Sequence, residues 1–542
     1  MKKLSVFALV AALVGSACGA GTFGPVTEID QTKTLFITLD LPSGAAESPD
    51  PDFNTSCRNP GDAIGSGSDV DSVLEDLIDF AYDQDFGVIH LCAGEYVTND
   101  VIEFDNRGSI TIQGDGVGET IISGAGGTPH PLLFMTPFLF GEGEGDDTLP
   151  SNFNVLTLKD LTFTGGDATG EAYDGDIVIG GAVTAPLIST ERVEFSDNAG
   201  VCGGAIALYG WTIGTVSDDF LIGLDADPTP EEALNAFLVF DTANRSQISD
   251  TTFRNNAAVF GGAIAGAGAD TPVGGEVPPL LPLLGYLACQ NPGPLEISGS
   301  LFEDNFSVAP EGAMLFLESG GGAIASIDSR VFMLYALAYE LDEELDSDWL
   351  AEATSAWVAS DGTDDPWLTV TETSFNGNHA NGSGGAIAAV GNVVITNSSF
   401  TDNYVEDDDV EFAGNGAGGA LLLSGGLTLT KSKFIRNSAS TGGAIMIQGL
   451  FGDDLTLTRN TFTRNTATDQ GGAIYGWSAD GVARGNRFTW NRAPIGSAVA
   501  VPTERCSRSV SRREARDWRG NTFRSNRGGR LPVECYVVEP AG

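Results

Sequence analysis

The 542-residue sequence predicts an all-β chain wound into a parallel β-helix, a solenoid of short stacked strands, and three observations carry that prediction. A Phe followed three residues later by Asn recurs nine times: Phe195 with Asn198, Phe253 with Asn256, Phe302 with Asn305, Phe375 with Asn378, Phe400 with Asn403, Phe434 with Asn437, Phe462 with Asn465, Phe488 with Asn491 and Phe523 with Asn526. A second element, Gly-Gly-Ala-Ile or a near variant, begins at Gly180, Gly203, Gly261, Gly321, Gly384, Gly418, Gly442, Gly471 and Gly496, in six copies 8 or 9 residues after the Phe. The tightest copies repeat every 25 to 28 residues, and each holds three short β-like runs such as Ala444–Ile447 and Leu455–Thr458. Such a unit buries no face alone, whereas stacked copies do.

Each repeated residue has a physical role. Phe, and the Ile after the glycines, point inward and stack on their equivalents about 4.8 Å away in the next coil. The Asn sits at a bend, where its amide can ladder between coils while it tolerates a left-handed backbone. Paired glycines permit a tight corner that a Cβ would block.

Taken from the N-terminus, residues 1–18 read as an export signal: Lys2 and Lys3, the apolar run Leu4–Val14, then Gly15-Ser16-Ala17-Cys18. The apolar run is too short to span a bilayer. Val14-Gly15-Ser16-Ala17-Cys18 resembles a bacterial lipoprotein box, with Gly15 where Leu is usual; lipidation of Cys18 and ordinary cleavage near Ala17 or Ala20 are the two alternatives. Residues 19–60 are expected to be a linker, 61–125 an N-terminal cap with the first coils, 126–535 the solenoid and 536–542 a tail. In the cap, Val73-Leu74, Leu77-Ile78 and Ala81-Tyr82 have helical spacing, and Gly87–Leu91, Ser109–Gly114 and Thr120–Ile122 read as strands. A helix here covers an open solenoid end, where unpaired strand groups invite aggregation. Insertions at about 209–247, 267–296 and 327–368 each begin just after a Gly-Gly-Ala-Ile strand, so they should leave from one corner and cluster on one side. That side is the expected binding face. Leu341–Val358 in the third insertion reads as a helix carrying Trp349 and Trp357.

Composition limits the chemistry. There are 71 Gly, 74 Asp+Glu, 27 Lys+Arg and 3 His, with 42% of the chain apolar. That excludes a disordered acidic chain, and the glycines lack a collagen period. His90, His130 and His379 lie far apart and no CxxC or HExxH occurs, which disfavours zinc or haem sites; His90 reads as an outward structural residue. Net charge is −47, divided as −55 over residues 1–430 and +8 over 431–542, and it argues against nucleic acid as the main partner. After Cys18, six cysteines remain. Fifteen pairings are open to them, of which the nearest-neighbour set Cys57–Cys92, Cys202–Cys289 and Cys506–Cys535 is expected.

The paired motifs over roughly 160–530 resemble the repeat of chlamydial-type polymorphic outer-membrane proteins, a family of surface-exposed β-helix adhesins. Those proteins normally end in a β-barrel translocator, and this sequence departs from the pattern by stopping at Gly542. Residues 70–122 are similar to the capping helix and first coils of pectin-lyase-like right-handed β-helices. Right-handedness follows from that resemblance and from the preference of parallel crossovers.

The two resemblances imply different functions. The first implies a non-catalytic, exported, adhesin-like protein that binds glycan or protein, held to a membrane only through Cys18. The alternative is a polysaccharide lyase or glycoside hydrolase. Lyases of the second family hold calcium with carboxylates and abstract a proton with Arg or Lys; the hydrolases use clustered Asp. The clusters here are Asp146-Asp147, Asp364-Asp365, Asp407-Asp408-Asp409 and Asp453-Asp454, and they match no such constellation. Calcium is the one candidate ion, with Asp407, Asp408 and Asp409 its candidate ligands, and a solvated acidic loop is the alternative reading of that segment. A basic segment with Arg508, Arg512, Arg513, Arg516, Arg519, Arg524, Arg527 and Arg530 around Trp518 either grips anionic surface glycans or docks on the protein's own acidic body.

Overall fold

The structure is a computed structural model that describes residues 30–39, 56–57, 62–63, 70–105, 107–124, 132–135, 154–169, 177–178, 180–208, 245–266, 268–269, 293–308, 320–327, 366–406, 416–448, 455–476, 481–502, 520–528 and 533–536. It is a right-handed β-helix. Among the described residues, strands pair in parallel into three long sheets of 23, 10 and 12 strands, and from Leu156 onward each turn of the chain adds a rung to all three. One coil shows the pattern: Leu455–Thr458, a bend, Thr461–Thr463, a second bend, Thr466–Gln470, the glycine corner, then Ile474–Tyr475.

Inside, the Phe positions form one continuous column. Ten rings, from Phe163 to Phe523, stack on their neighbours one coil away with centroids 4.6–5.2 Å apart and planes within 14° of parallel. Phe163 joins the column although its segment, Phe163-Thr164-Gly165-Gly166, lacks the Asn. Parallel register carries a second apolar column through Ile206, Ile264, Ile324, Ile387, Leu421, Ile445, Ile474 and Val499. All eight are fully buried. Exclusion of this much apolar surface from water is the main stabilising term.

The Asn side chains form a ladder along the coil axis. Asn256, for example, accepts from the backbone N–H and the Nδ2 of Asn198 (3.2 and 3.0 Å), and donates to the Phe195 carbonyl (3.1 Å) and to Asn305 Oδ1 (2.9 Å). The same contacts continue from Asn305 to Asn378 and from Asn378 to Asn403, each step closed by an Nδ2–Oδ1 bond of 2.9 or 3.0 Å. At the far end Asn465 donates to Asn491 at 3.0 Å and Asn491 to Asn526 at 3.1 Å, while Asn526 Nδ2 donates to the Phe488 carbonyl at 3.2 Å.

The structure corrects the expectation that these Asn residues carry the left-handed turn. None of Asn198, Asn256, Asn305, Asn378, Asn403, Asn437, Asn465, Asn491 and Asn526 has a positive φ. The left-handed residue is the one before: Asp197, Asn255, Asp304, Gly377, Asp402, Arg436, Arg464, Trp490 and Ser525 all have φ between 52° and 67°. The physical reason is burial. The amide saturates donors and acceptors that a buried bend would otherwise strand, so it must point inward while its predecessor makes the turn.

A second ladder runs five residues upstream and has no single signature residue. Thr251, Ser300, Thr373, Ser398, Ser432, Asn460, Asn486 and Asn521 succeed one another, each backbone N–H donating to the next side-chain oxygen at 2.8–3.5 Å. At the glycine corner, Gly203 is left-handed (φ 70°), and a Cβ on Gly204 would lie 2.2 Å from the Gly262 carbonyl oxygen. Neither position tolerates a side chain.

At the N-terminal end a helix spans Val70–Asp83 and buries Leu74, Leu77, Ile78 and Ala81 against the first coils. The linker expectation for 19–60 is corrected by Thr34–Thr38, which is a strand pairing in parallel with Val88–Leu91. Its residues alternate Thr-Leu-Phe-Ile-Thr, so Leu35 and Ile37 drop into the core as the first rung. Among the described residues no helix is long and apolar enough to cross a membrane.

Candidate functional site

The corner from which the insertions leave is the feature that regular coils cannot account for. Strands Ile206–Leu208, Ile264–Gly266 and Ile324–Ile327 are consecutive parallel neighbours in the 12-stranded sheet, and each is followed by one insertion. The chain returns each time into another set of neighbours, Ser246–Ser249, Leu295–Ser298 and Leu368–Thr371. All three insertions therefore begin on adjacent rungs and end on adjacent rungs. A two-residue antiparallel bridge, Ile177–Val178 with Gly268–Ala269, joins the start of the second insertion to the excursion before Gly180. Leu341–Val358, with Trp349 and Trp357, lies outside the described residues.

A second surface feature was missed by sequence reasoning. Phe306, His379 and Tyr404 occupy the same outward register position on successive rungs, with ring centroids 4.0 and 4.9 Å apart. Each is the residue directly after a ladder Asn (Asn305, Asn378 and Asn403), so aligning the repeats and reading that one column would have revealed it. Burial among these rings pushes the His379 imidazole below its ordinary pKa, against the opposing pull of Glu406 and Asp304. Burial also raises Tyr404 and, aided by Glu303, Asp304. The effect is to favour the uncharged form of each group.

At the cap, His90 sits on its strand with Nε2 2.8 Å from Asp115 Oδ1 and its ring 4.9 Å from Phe36. Asp115 also accepts from the Ala93 N–H at 2.7 Å. Cys57 approaches the same pair, but its sulfur is bonded to Cys92, with Cα atoms 5.5 Å apart, so the cluster offers two free ligand groups and not three. A disulfide sulfur is no thiolate ligand. Cys202 is also disulfide-bonded, and its expected partner Cys289 lies outside the described residues, as do Cys506, Cys18 and His130. The candidate calcium ligands Asp407, Asp408 and Asp409 lie outside them too, with the clusters at 146–147, 364–365 and 453–454. Of the basic segment, Arg524 and Arg527 are described; Arg508, Arg512, Arg513, Arg516, Arg519, Arg530 and Trp518 fall outside.

Residues 352–507 match the sequence family described as "Right handed beta helix region", in keeping with this architecture. Among solved structures, the GH87 alpha-1,3-glucanase catalytic unit of Streptomyces thermodiastaticus aligns over 88% of this chain and 66% of its own, at 10% identity and a TM-score of 0.37. This chain thus spans just under two-thirds of that enzyme unit. The surface protein and adhesin PfbA of Streptococcus pneumoniae aligns over 87% and 96% at 11% identity and a TM-score of 0.30. The mannuronan C-5 epimerase AlgE6 A-module of Azotobacter vinelandii aligns over 88% and 96% at 12% identity and a TM-score of 0.24. No curated protein matches.

Proposed function

We propose that this chain is an exported, surface-displayed interaction protein: a stiff β-helical shaft that presents three long insertions as one binding face for glycan or protein, in the manner of the polymorphic outer-membrane repeat proteins. The observation that carries the reading is the departure of all three insertions from adjacent rungs of one sheet. A fully laddered solenoid holds those roots at fixed spacing, so the segments they support meet a ligand together, and preorganisation lowers the entropic cost of binding. Export follows from the N-terminal segment, and lipidation of Cys18 supplies the envelope anchor. Cys18→Ser is expected to release the protein from membranes, and unchanged fractionation rejects the anchor.

The deciding experiment exposes the purified mature chain to a panel of neutral and acidic polysaccharides and surface proteins, with and without calcium, and records both binding and products. Binding without turnover, lost when 209–247 or 327–368 is replaced by a short turn in a variant with the wild-type circular dichroism spectrum, supports the proposal. Formation of unsaturated or reducing-end products that ceases when Asp407, Asp408 and Asp409 become Asn replaces it with the enzymatic alternative. Calcium-dependent binding lost in the same variant places the ion at that loop.

A further inference from the structure

Apart from Lys431 and Lys433, the described cations divide sharply along the solenoid. Toward the N-terminal end they are paired: Arg192 with Asp160 and Glu191, Lys159 with Glu191 at 3.2 Å, Arg254 with Glu303 at 3.0 Å. The last such pair is Arg436 with Asp402. From residue 455 to 528 the described residues include seven arginines and one acid, Asp469, and none of the seven makes an ion pair with a described residue.

Register places four of these arginines on one surface. The bend position runs Arg464, Trp490, Ser525 on successive coils, all left-handed. The neighbouring outward column, directly after Asn465, Asn491 and Asn526, runs Thr466, Arg492, Arg527, and on the other side lie Thr463, Thr489, Arg524. The coils are about one ring spacing apart, 4.8–4.9 Å between the phenylalanines beneath. Trp490 lies at the centre of this surface. It is 47% exposed, its φ is 63°, and the Arg527 guanidinium lies 5.4 Å from its ring centroid. A bulky aromatic residue is uncommon in the left-handed region, and a large apolar side chain at an exposed bend gains little from burial. Folding asks nothing of this bend that glycine does not supply, as Gly377 does at the equivalent position four coils upstream.

We propose that this face is a binding site for an anionic polysaccharide, with Trp490 as the platform for a sugar ring and Arg464, Arg492, Arg524 and Arg527 as the partners of its carboxylate or sulfate groups. The proposal rests on the surface-interaction reading and adds to it a second site and a ligand class. Guanidinium forks bind such oxyanions bidentately, and an indole face accepts the apolar side of a pyranose. Arginines repeated at one spacing along the coil axis suit a linear polymer. A duplex nucleic acid, with a charge about every 1.7 Å, is repelled far more strongly by the −47 chain than a sugar chain bearing sparser charges.

The test uses the full mature chain and three polymers with the same backbone: dextran, carboxymethyl-dextran and dextran sulfate, with duplex DNA as a fourth probe. Binding of one or both charged dextrans, weakened by salt and absent for dextran, is expected; the stronger of the two identifies the oxyanion. Trp490→Ala should weaken it about tenfold. The triple variant R464S/R492S/R527S should abolish it at an unchanged melting temperature, while Arg254→Ser, at the paired end, should leave it intact. Charged-dextran binding that survives in the triple variant overturns the site. So does tighter binding of duplex DNA, or salt-sensitive self-association lost in the triple variant without dextran binding, which makes a second copy's acidic coils the occupant. Retention of panel ligands by the insertions in any of these cases leaves the surface-interaction reading standing, whereas polysaccharide cleavage removes it.

Discussion

Replacing Asn437 by Ala tests the ladder where it is most continuous. The side chain accepts from the Asn403 backbone N–H and from Asn403 Nδ2, both at 3.0 Å, and donates to the Phe400 carbonyl and to Asn465 Oδ1, also at 3.0 Å. Asn465 Oδ1 keeps one partner, the Asn437 backbone N–H, and the Phe400 carbonyl keeps its strand ladder, so the substitution strands two donors of Asn403 and removes one of two partners from that carbonyl. Each orphaned buried group costs about 1–3 kcal/mol, and partial relaxation of the bend leaves a loss of about 3–6 kcal/mol. The lower end applies if a water enters the vacated space. Coils on both sides are pinned by their own ladders, so the site cannot collapse to re-form the bonds. Equilibrium urea unfolding followed by circular dichroism reads the loss as a lower midpoint. A loss below about 1 kcal/mol would refute the view that these amides hold the bends and would leave the apolar columns as the sole determinant.

Three further outcomes follow from the same geometry. Phe462→Ala removes a fully buried ring stacked on both sides and should cost about 3–5 kcal/mol, whereas Phe523→Ala, half-covered at the end of the column, should cost clearly less; equal losses in urea unfolding would contradict the stack. Lys431→Gly relieves a left-handed bend (φ 54°) whose equivalents two and three coils further on are Gly485 and Gly520, and the relief of about 1–2 kcal/mol exceeds the added unfolded-state entropy of roughly 0.5–1 kcal/mol, so the midpoint should rise. His379 has a depressed pKa, so the unfolded state binds its proton first as pH falls below about 6.5, and stability should decline from there through the lower folded-state pKa. Asp304, whose raised pKa acts in the opposite sense, faces the same ring, so His379→Gln should flatten or reverse that part of the stability profile; an identical slope in the variant refutes the assignment to His379.

The solenoid was legible in the sequence because a coil repeats its own problem. Every turn must bury a ring, satisfy a bend and pass a corner, so Phe, Asn and Gly-Gly recur at fixed spacing and name the architecture on their own. The same reading could not find the ladder that begins at Thr251, since Thr, Ser and Asn all supply a side-chain oxygen and the chain uses them interchangeably. It assigned the left-handed turn to residues such as Asn378 and Asn491, when only the packed coil decides that the amide goes in and that Gly377 or Trp490 bends before it. Thr34–Thr38 escaped notice for a related reason: five residues carry too little periodicity to stand out, and their place in the core is set by Val88–Leu91 alongside.

Surface function divides in the same way. Sequence determined the charge asymmetry and the points at which insertions break the repeat, because both are counted along the chain. Which outward residues become neighbours is decided by register, which brings His379 against Phe306 across one coil and against Tyr404 across the next, although the two coils differ widely in length. Arg527 reaches Trp490 by the same means. Stacking of coils turns a linear order of side chains into faces, and that step exists only in three dimensions.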